Sequence, residues 1–219
     1  MTAIARGAMR VVVATAAFGL LHSVLADTRS KAAFERAVGT RRRNAWYRPL
    51  YNAHSVVSLA ALAAYVLRQP SRTLYHVRGP AAVAMRAGQA ASVVYIASAA
   101  VRTGPFSFAG LPGLVAWVLR RPNVPREPAG QGPALNEQGR VHDCGPFAHS
   151  RQPANVGMVP LLLLNPRVTT RSAAVCLTLA AYSLLGAVHS DRMIGRQYGQ
   201  AFDDYRRRVP LLFGRHRGG

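Results

Sequence analysis

Four long stretches of this chain carry almost no charged side chains, and each is about long enough to cross a lipid bilayer. They lie at residues 11–26, 50–67, 80–101 and 168–188, and the third holds a single ionised side chain, that of Arg86. A helix needs about 17 to 25 apolar residues to span a hydrocarbon core roughly 30 Å thick. The chain is therefore predicted to be an all-α, polytopic membrane helix bundle that forms a single integral-membrane domain, residues 1–219.

A shorter apolar segment, residues 155–165, decides how many times the chain crosses the membrane. As a helix it would rise only about 16 Å. When it is counted as the fourth of five transmembrane helices, twenty of the 28 basic residues fall on one side of the membrane and seven on the other. Basic residues are enriched in cytoplasmic loops, so this bias predicts an N-terminus outside and a C-terminus in the cytoplasm. The polar residues 148–155 would then complete the crossing inside a hydrated pocket.

The formal net charge of +20 has two interpretations. A protein this basic can neutralise nucleic-acid phosphates. The one-sided distribution favours the other interpretation, in which the arginines fix the topology and contact anionic headgroups. We therefore expect membrane lipids and no nucleic acid among the partners, and a multi-pass location in the cell membrane.

The first span has an alternative interpretation as a cleavable signal peptide. Arg6, Arg10, the apolar run that follows and the small residues near Ala26 fit that pattern. Cleavage would place the arginine cluster after Asp27 on the outside, against the charge bias. A retained span is therefore the preferred prediction.

Residues 102–152 form the only long polar connection and are predicted to be a cytoplasmic loop. Within it, residues 108–117, "FAGLPGLVAW", are apolar but short and interrupted by Gly and Pro, which predicts an interfacial helix. The stretch that follows, residues 120–139, is rich in Pro and Gly and is predicted to be mobile.

Histidines and other polar residues gather at the predicted cytoplasmic ends of the spans. Polar groups at membrane depth are costly unless they face one another or a cavity, so they predict a polar pocket at the cytoplasmic face. The alternative is that each histidine only bonds a nearby backbone carbonyl. The group comprises His22, Asp27, Tyr47, Arg48, Tyr51, Asn52, His54, His142, Asp143, His149, Arg151, Asn155, His189 and Asp191.

Residues 145–210 carry short motifs in a fixed order. "GPF" begins at Gly145, "RQPAN" at Arg151 and "LLNP" at Leu163, and "SDRMIGRQYGQAFDDYRRRVP" begins at Ser190. In this order the region resembles the isoprenylcysteine carboxyl methyltransferase family of membrane methyltransferases, including bacterial relatives that methylate small thiols. The segments "LLHS" and "YRPLYN", residues 20–23 and 47–52, also resemble the small-thiol branch and NnrU-type membrane proteins.

The resemblance implies methyl transfer from S-adenosylmethionine to a small thiol, a prenyl-cysteine or a lipid-like acceptor at the cytoplasmic face. Arg151 would bind the cofactor carboxylate as a fork, Gln152 or Asn155 would bind the adenine edge, and Phe147 or Tyr205 would face the sulfonium. The candidate catalytic residues are His22, His54 and Asp191, and His22, His54 or Asp27 would remove a thiol proton. The candidate cofactor-binding residues are Gly145, Phe147, Arg151, Gln152, Pro153, Asn155, Asp191 and Tyr205.

Four positions depart from the family pattern, and two other functional classes fit parts of the sequence. Gln152, Asn155 and the pair at residues 190–191 stand where the family has histidine, tyrosine and two glutamates. A noncatalytic NnrU-like membrane protein, linked to nitrogen-oxide metabolism by resemblance, accounts for these changes. A b-type haem protein would pair His22 with His54 or His189, but it leaves the C-terminal motif unexplained.

The two cysteines give no sign of a metal or disulfide site. They fall on different elements, one in the long loop and one in the last span, and lack the spacing of a disulfide framework or of a zinc or iron–sulfur site. We therefore predict no metal ligands.

Overall fold

Helices make up most of the structure, a computed structural model in which residues 2–126 and 132–214 are described. The predicted all-α bundle is confirmed, with two short strands and one 3-10 turn, Gly145–Ala148, added to it. Part of the segment predicted to be mobile, residues 127–131, lies outside the described residues. The helices are α1 Ala3–Ala26, α2 Thr28–Val38, α3 Thr40–Leu67, α4 Gly79–Thr103, α5 Pro105–Ala109, α6 Leu111–Val118, α7 Pro153–Leu163, α8 Thr170–Tyr198 and α9 Gln200–Arg208, and the strands are β1 Thr73–His76 and β2 Arg167–Thr169.

Three of the described helices, α1, α3 and α8, are long and apolar enough to cross a membrane. Helices α1 and α3 contain two of the four predicted stretches, and α8 contains residues 170–188 of a third, whose first two residues lie in β2. All three helices extend beyond these stretches. The fourth stretch lies in α4, which has 25 residues but is less apolar because Arg86 and Gln89 lie within it. Helix α7 is apolar but has only 11 residues. These helices support a membrane protein with at least three candidate spans.

The strand pair fixes the directions of the helices. Strand β1 joins α3 to α4, strand β2 joins α7 to α8, and the two pair antiparallel with Thr73 opposite Thr169. Four helix ends therefore meet at one end of the bundle. Helix α1 begins there too, since a Cβ on Gly7 would lie 3.1 Å from Pro70. The opposite end, named here the site end, holds α2, α5, α6, α9 and the segment before α7.

Small residues let the long helices approach closely. Gly19 of α1 lies against Tyr182 of α8, where a Cβ would come within 2.8 Å of the ring, and Gly157 of α7 lies against Ile96 of α4. Glycine at such contacts is typical of helix packing within membranes. Helix α1 is thus an integral part of the bundle.

The predicted interfacial helix is divided into α5 and α6. The break falls at Gly110, which has a φ of +78° and lies so close to Arg48 that a Cβ would come within 2.7 Å of the arginine Cγ. Helix α6 then packs onto the start of α3, where Gly113 faces the carbonyl oxygen of Asn44. Glycine is required at both positions because a side chain would separate α6 from α3.

Candidate functional site

The segment that leads into α7 is buried at the site end and bonded to the C-terminal residues. The backbone N–H of Arg151 donates to the carbonyl of Pro210 at 3.0 Å, and the Ser150 hydroxyl donates to the carbonyl of Leu211 at 2.9 Å. Ser150 also accepts from the backbone N–H of Gln152 at 3.0 Å. These bonds hold Gln152 at the N-terminus of α7.

The guanidinium of Arg151, the predicted partner of a cofactor carboxylate, is engaged within the protein. Its Nε and Nη2 donate to the two carboxylate oxygens of Asp191 at 2.7 and 3.2 Å, and its Nη1 donates to the carbonyl of Val209 at 2.6 Å. Arg151 is only 8% exposed. The fork predicted for a cofactor carboxylate is therefore used to bind Asp191.

Asp191 is likewise a buried anchor. It is 6% exposed, and besides Arg151 it accepts from Nη2 of Arg206 on α9 at 3.2 Å. One carboxylate thus ties α8 to the segment before α7 and to α9. The catalytic and cofactor-binding roles predicted for Asp191 do not fit this placement, because both of its oxygens are bonded to arginines.

Tyr205 belongs to the core and presents no face to a ligand. It is fully buried, and its ring packs edge-on against Phe202 with the ring centroids 5.7 Å apart. Its hydroxyl donates to the carbonyl of Phe147 at 2.6 Å. Burial raises the pKa of the Tyr205 hydroxyl well above its ordinary value. Tyr205, which was predicted to face a sulfonium, thus holds α9 against the 3-10 turn.

Removing this hydroxyl should change the pH dependence of stability. The raised pKa means that folding favours the protonated phenol. The hydroxyl therefore contributes fully to stability below pH about 10, the pKa of an unfolded tyrosine, and this contribution is lost as the pH rises above that value. Tyr205→Phe should lower stability by about 1 kcal/mol at neutral pH and flatten the decline above pH 10. Thermal unfolding in detergent between pH 7 and 11 measures both, and parallel profiles for the two proteins would contradict the assignment.

Two cavities adjoin each other at the site end. The larger, about 420 Å³, lies between α4, α7 and the 3-10 turn, and the smaller, about 190 Å³, lies between α1, α2, α3 and α8. His22, Asn155 and Ser190 line both cavities. The structure therefore confines the predicted polar pocket to the region around these three residues.

Gln152 lines the larger cavity, and its side chain has a buried donor without a partner among the described residues. Its Oε1 accepts from Nδ2 of Asn155 at 3.2 Å, but its Nε2 has no hydrogen-bond partner among the described residues. The residue is 4% exposed and lines the cavity. A buried donor without a partner costs about 1 to 3 kcal/mol, so Nε2 marks a place where a ligand acceptor would be stabilised.

His22 is bonded through both ring nitrogens. The Ser55 hydroxyl donates to the carbonyl of Tyr51 at 2.8 Å, so at its 3.2 Å contact with Nδ1 it acts as acceptor. The ring proton is therefore assigned to Nδ1, and Nε2 accepts from the Tyr51 hydroxyl at 2.7 Å. In this tautomer the basic nitrogen of His22, Nε2, faces the Tyr51 hydroxyl.

Of the other predicted site residues, two line the larger cavity and two do not. Phe147 and Pro153 line the larger cavity, whereas Gly145 is exposed at the start of the 3-10 turn. His54 lines a third cavity, which shares Leu25, Tyr47 and Tyr51 with the smaller one. The structure does not bring His54 or Gly145 to the junction of the two cavities.

The structure also gives the contacts of three further polar residues, His189, Asp27 and His149. His189 lines the smaller cavity and approaches Asp27 at 3.7 Å. His149 stacks on Phe213 with ring centroids 6.1 Å apart. Only His22 and His189, of the five predicted histidines, line the two adjoining cavities.

Sequence reasoning missed two residues that line the smaller cavity, Lys31 and Tyr182, and one partner of His22, Ser55. Lys31, the only lysine of the chain, is 5% exposed on α2, and Tyr182 of α8 donates to or accepts from Ser23 at 2.9 Å. Ser55 lies one helical turn after Tyr51, which is the spacing that places both on one face of α3. The sequence offers a signal for Lys31, because it is the single lysine in an arginine-rich chain. It offers no signal that Tyr182 belongs to the cavity.

No protein-family model, curated protein or solved structure matches this chain. Within residues 2–126 and 132–214, no group of three or more His, Cys, Asp or Glu residues is arranged to hold a metal ion. Function is therefore inferred from the residues and cavities at the site end, together with the motif resemblance.

Proposed function

We propose that this protein is an integral membrane methyltransferase that uses S-adenosylmethionine and acts on a small thiol, prenyl-cysteine or lipid-like acceptor at the cytoplasmic face. The observation that supports it is the pair of adjoining cavities, one of which is lined by Gln152, a residue whose buried Nε2 has no partner among the described residues. Group transfer between two substrates requires two binding sites that meet at one point. His22, Asn155 and Ser190 lie at that point.

The residues present fit the chemistry of the cofactor. When bound, S-adenosylmethionine supplies a methyl group on a positively charged sulfur. Gln152, which lines the larger cavity, would donate from Nε2 to an adenine nitrogen. Lys31 and Arg48 line the smaller cavity, where they would attract the negative charge of the acceptor. Phe147, 3% exposed in the wall of the larger cavity, would exclude water.

His22 is the residue placed to take a proton from a thiol acceptor. Its Nε2 is bonded to the Tyr51 hydroxyl, and Tyr51 lines the smaller cavity. A thiol proton would pass to the Tyr51 oxygen while the Tyr51 proton passes to Nε2. His22 and Tyr51 thus act as one base, with Ser55 fixing the tautomer.

The proposal includes five membrane crossings with the site end in the cytoplasm. Helices α1, α3, α4, α7 and α8 run alternately between the two ends, which fits the one-sided charge. Helix α7 is short, and the buried segment before it would complete the crossing inside protein, where irregular backbone is tolerated.

The topology has a direct test. A reporter fused after Gly219 should be cytoplasmic, and a reporter inserted at Arg78, just after β1, should be outside, because these positions follow opposite ends of the bundle. Enzymatic reporters in whole cells measure both. If both map to the same side, the bundle does not cross five times.

The enzymatic proposal is tested by cofactor binding to detergent-purified protein, followed by transfer of a labelled methyl group to thiols, prenyl-cysteines and lipids. Binding with transfer supports the enzyme. The noncatalytic NnrU-like function is the second candidate, because the Arg151–Asp191 pair withdraws two motif residues from cofactor binding. Absence of binding at millimolar cofactor would favour it.

A further inference from the structure

Helices α5 and α6 present an apolar surface that faces away from the bundle. Helix α6 buries only Gly113 and Ala116 against α3, while its larger side chains remain outside. Phe106 is 69% exposed, Val115 48% and Val118 66%. Apolar exposure of this kind, at the end of a bundle of membrane-length helices, is typical of a segment lying in the lipid interface.

A cavity of about 440 Å³ opens within this surface. Phe106, Leu111, Pro112 and Val115 form its apolar walls, and Arg121 and Asn123 form its polar rim. Within the described part of the chain, Arg121 makes no ion pair. Its own carbonyl accepts from Nη2 of Arg41 at 3.1 Å, and Arg41 lies over the Trp117 ring, so the turn after α6 is held against α3.

We propose that this cavity binds one anionic phospholipid of the membrane, with an acyl chain along Phe106 and Val115 and the phosphate at Arg121. The inference is independent of the methyltransferase proposal. The charge is complementary, because a guanidinium offers two parallel donors to a phosphate. The order of the groups also fits a lipid. The apolar walls come first along this segment and the arginine follows them, as the headgroup follows the acyl chain in a lipid.

Native mass spectrometry of the detergent-purified protein, titrated with phosphatidylglycerol or phosphatidylcholine of matched acyl chains, tests the site. We expect one phosphatidylglycerol bound at saturation, and Arg121→Gln to weaken it by at least about tenfold. Arg120→Gln is the matched control, because it removes the same charge one residue away and outside the cavity lining. Equal weakening by the two changes, or equal binding of the two lipids, would overturn the proposal in favour of general charge attraction.

A second pair of variants tests the apolar part of the site. Val115→Trp should fill the cavity and abolish the bound lipid, whereas Val118→Trp adds the same bulk on the same helix outside the cavity and should leave binding unchanged. Thermal unfolding checks that both variants fold. Retention of the lipid by folded Val115→Trp would overturn the proposal, and if that variant fails to fold, the arginine pair decides.

Discussion

Asp191→Asn should lower the free energy of unfolding by about 3 to 5 kcal/mol. The change removes the anion from a buried pair in which Arg151 is 8% exposed, and it leaves that guanidinium with neutral acceptors only, the new amide oxygen and backbone carbonyls. An uncompensated charge in such surroundings is costly because little water reaches it. Thermal or denaturant unfolding in detergent, without cofactor, measures the loss.

The chain offers a matched control for this change. Asp203 on α9 approaches the same Arg206 at 3.9 Å, but the side chain is 53% exposed. Exposed ion pairs contribute less than about 1 kcal/mol, so Asp203→Asn should have little effect. Similar losses for both variants would show that the Arg151–Asp191 pair does not anchor the C-terminal segment.

Gln152→Leu should weaken S-adenosylmethionine binding by about 1 to 3 kcal/mol, or roughly fivefold to more than a hundredfold. Leucine removes the Nε2 donor and leaves the ligand acceptor unpaired. The stability of the free protein should change little, because the variant loses one bond to Asn155 and also removes a buried donor without a partner. Gln152→His keeps a ring N–H donor and should be tolerated.

Affinity and unfolding must be measured separately for each variant. Gln89→Leu is the contrasting control, because Gln89 donates to the carbonyl of Leu161 at 3.0 Å and lies outside the two cavities. It should lower stability and leave affinity unchanged, the reverse of Gln152→Leu. If Gln152→Leu leaves affinity unchanged in a protein that binds the cofactor, the cofactor site does not include Gln152.

Local chemistry makes the helices predictable. Long stretches without charge can satisfy their backbone only as helices in a bilayer, so α1, α3 and α8 are recognisable from the order of the amino acids alone. The short α7 and its polar approach are also predictable, from the two prolines and the apolar run at residues 156–164. The sequence places Gln152, Asn155 and His22 near one face because all three lie at the same ends of neighbouring spans.

Only the tertiary structure decided what these side chains do. Arg151 and Asp191 are 40 residues apart, and nothing local indicates that their charges neutralise each other rather than a ligand. The same holds for His22, whose two partners come from α3, and for Tyr205, whose hydroxyl reaches Phe147 across 58 residues. A helix is specified by neighbours within one turn, whereas the role of a polar side chain depends on which distant group arrives within about 3 Å of it, and that is set by how the helices pack.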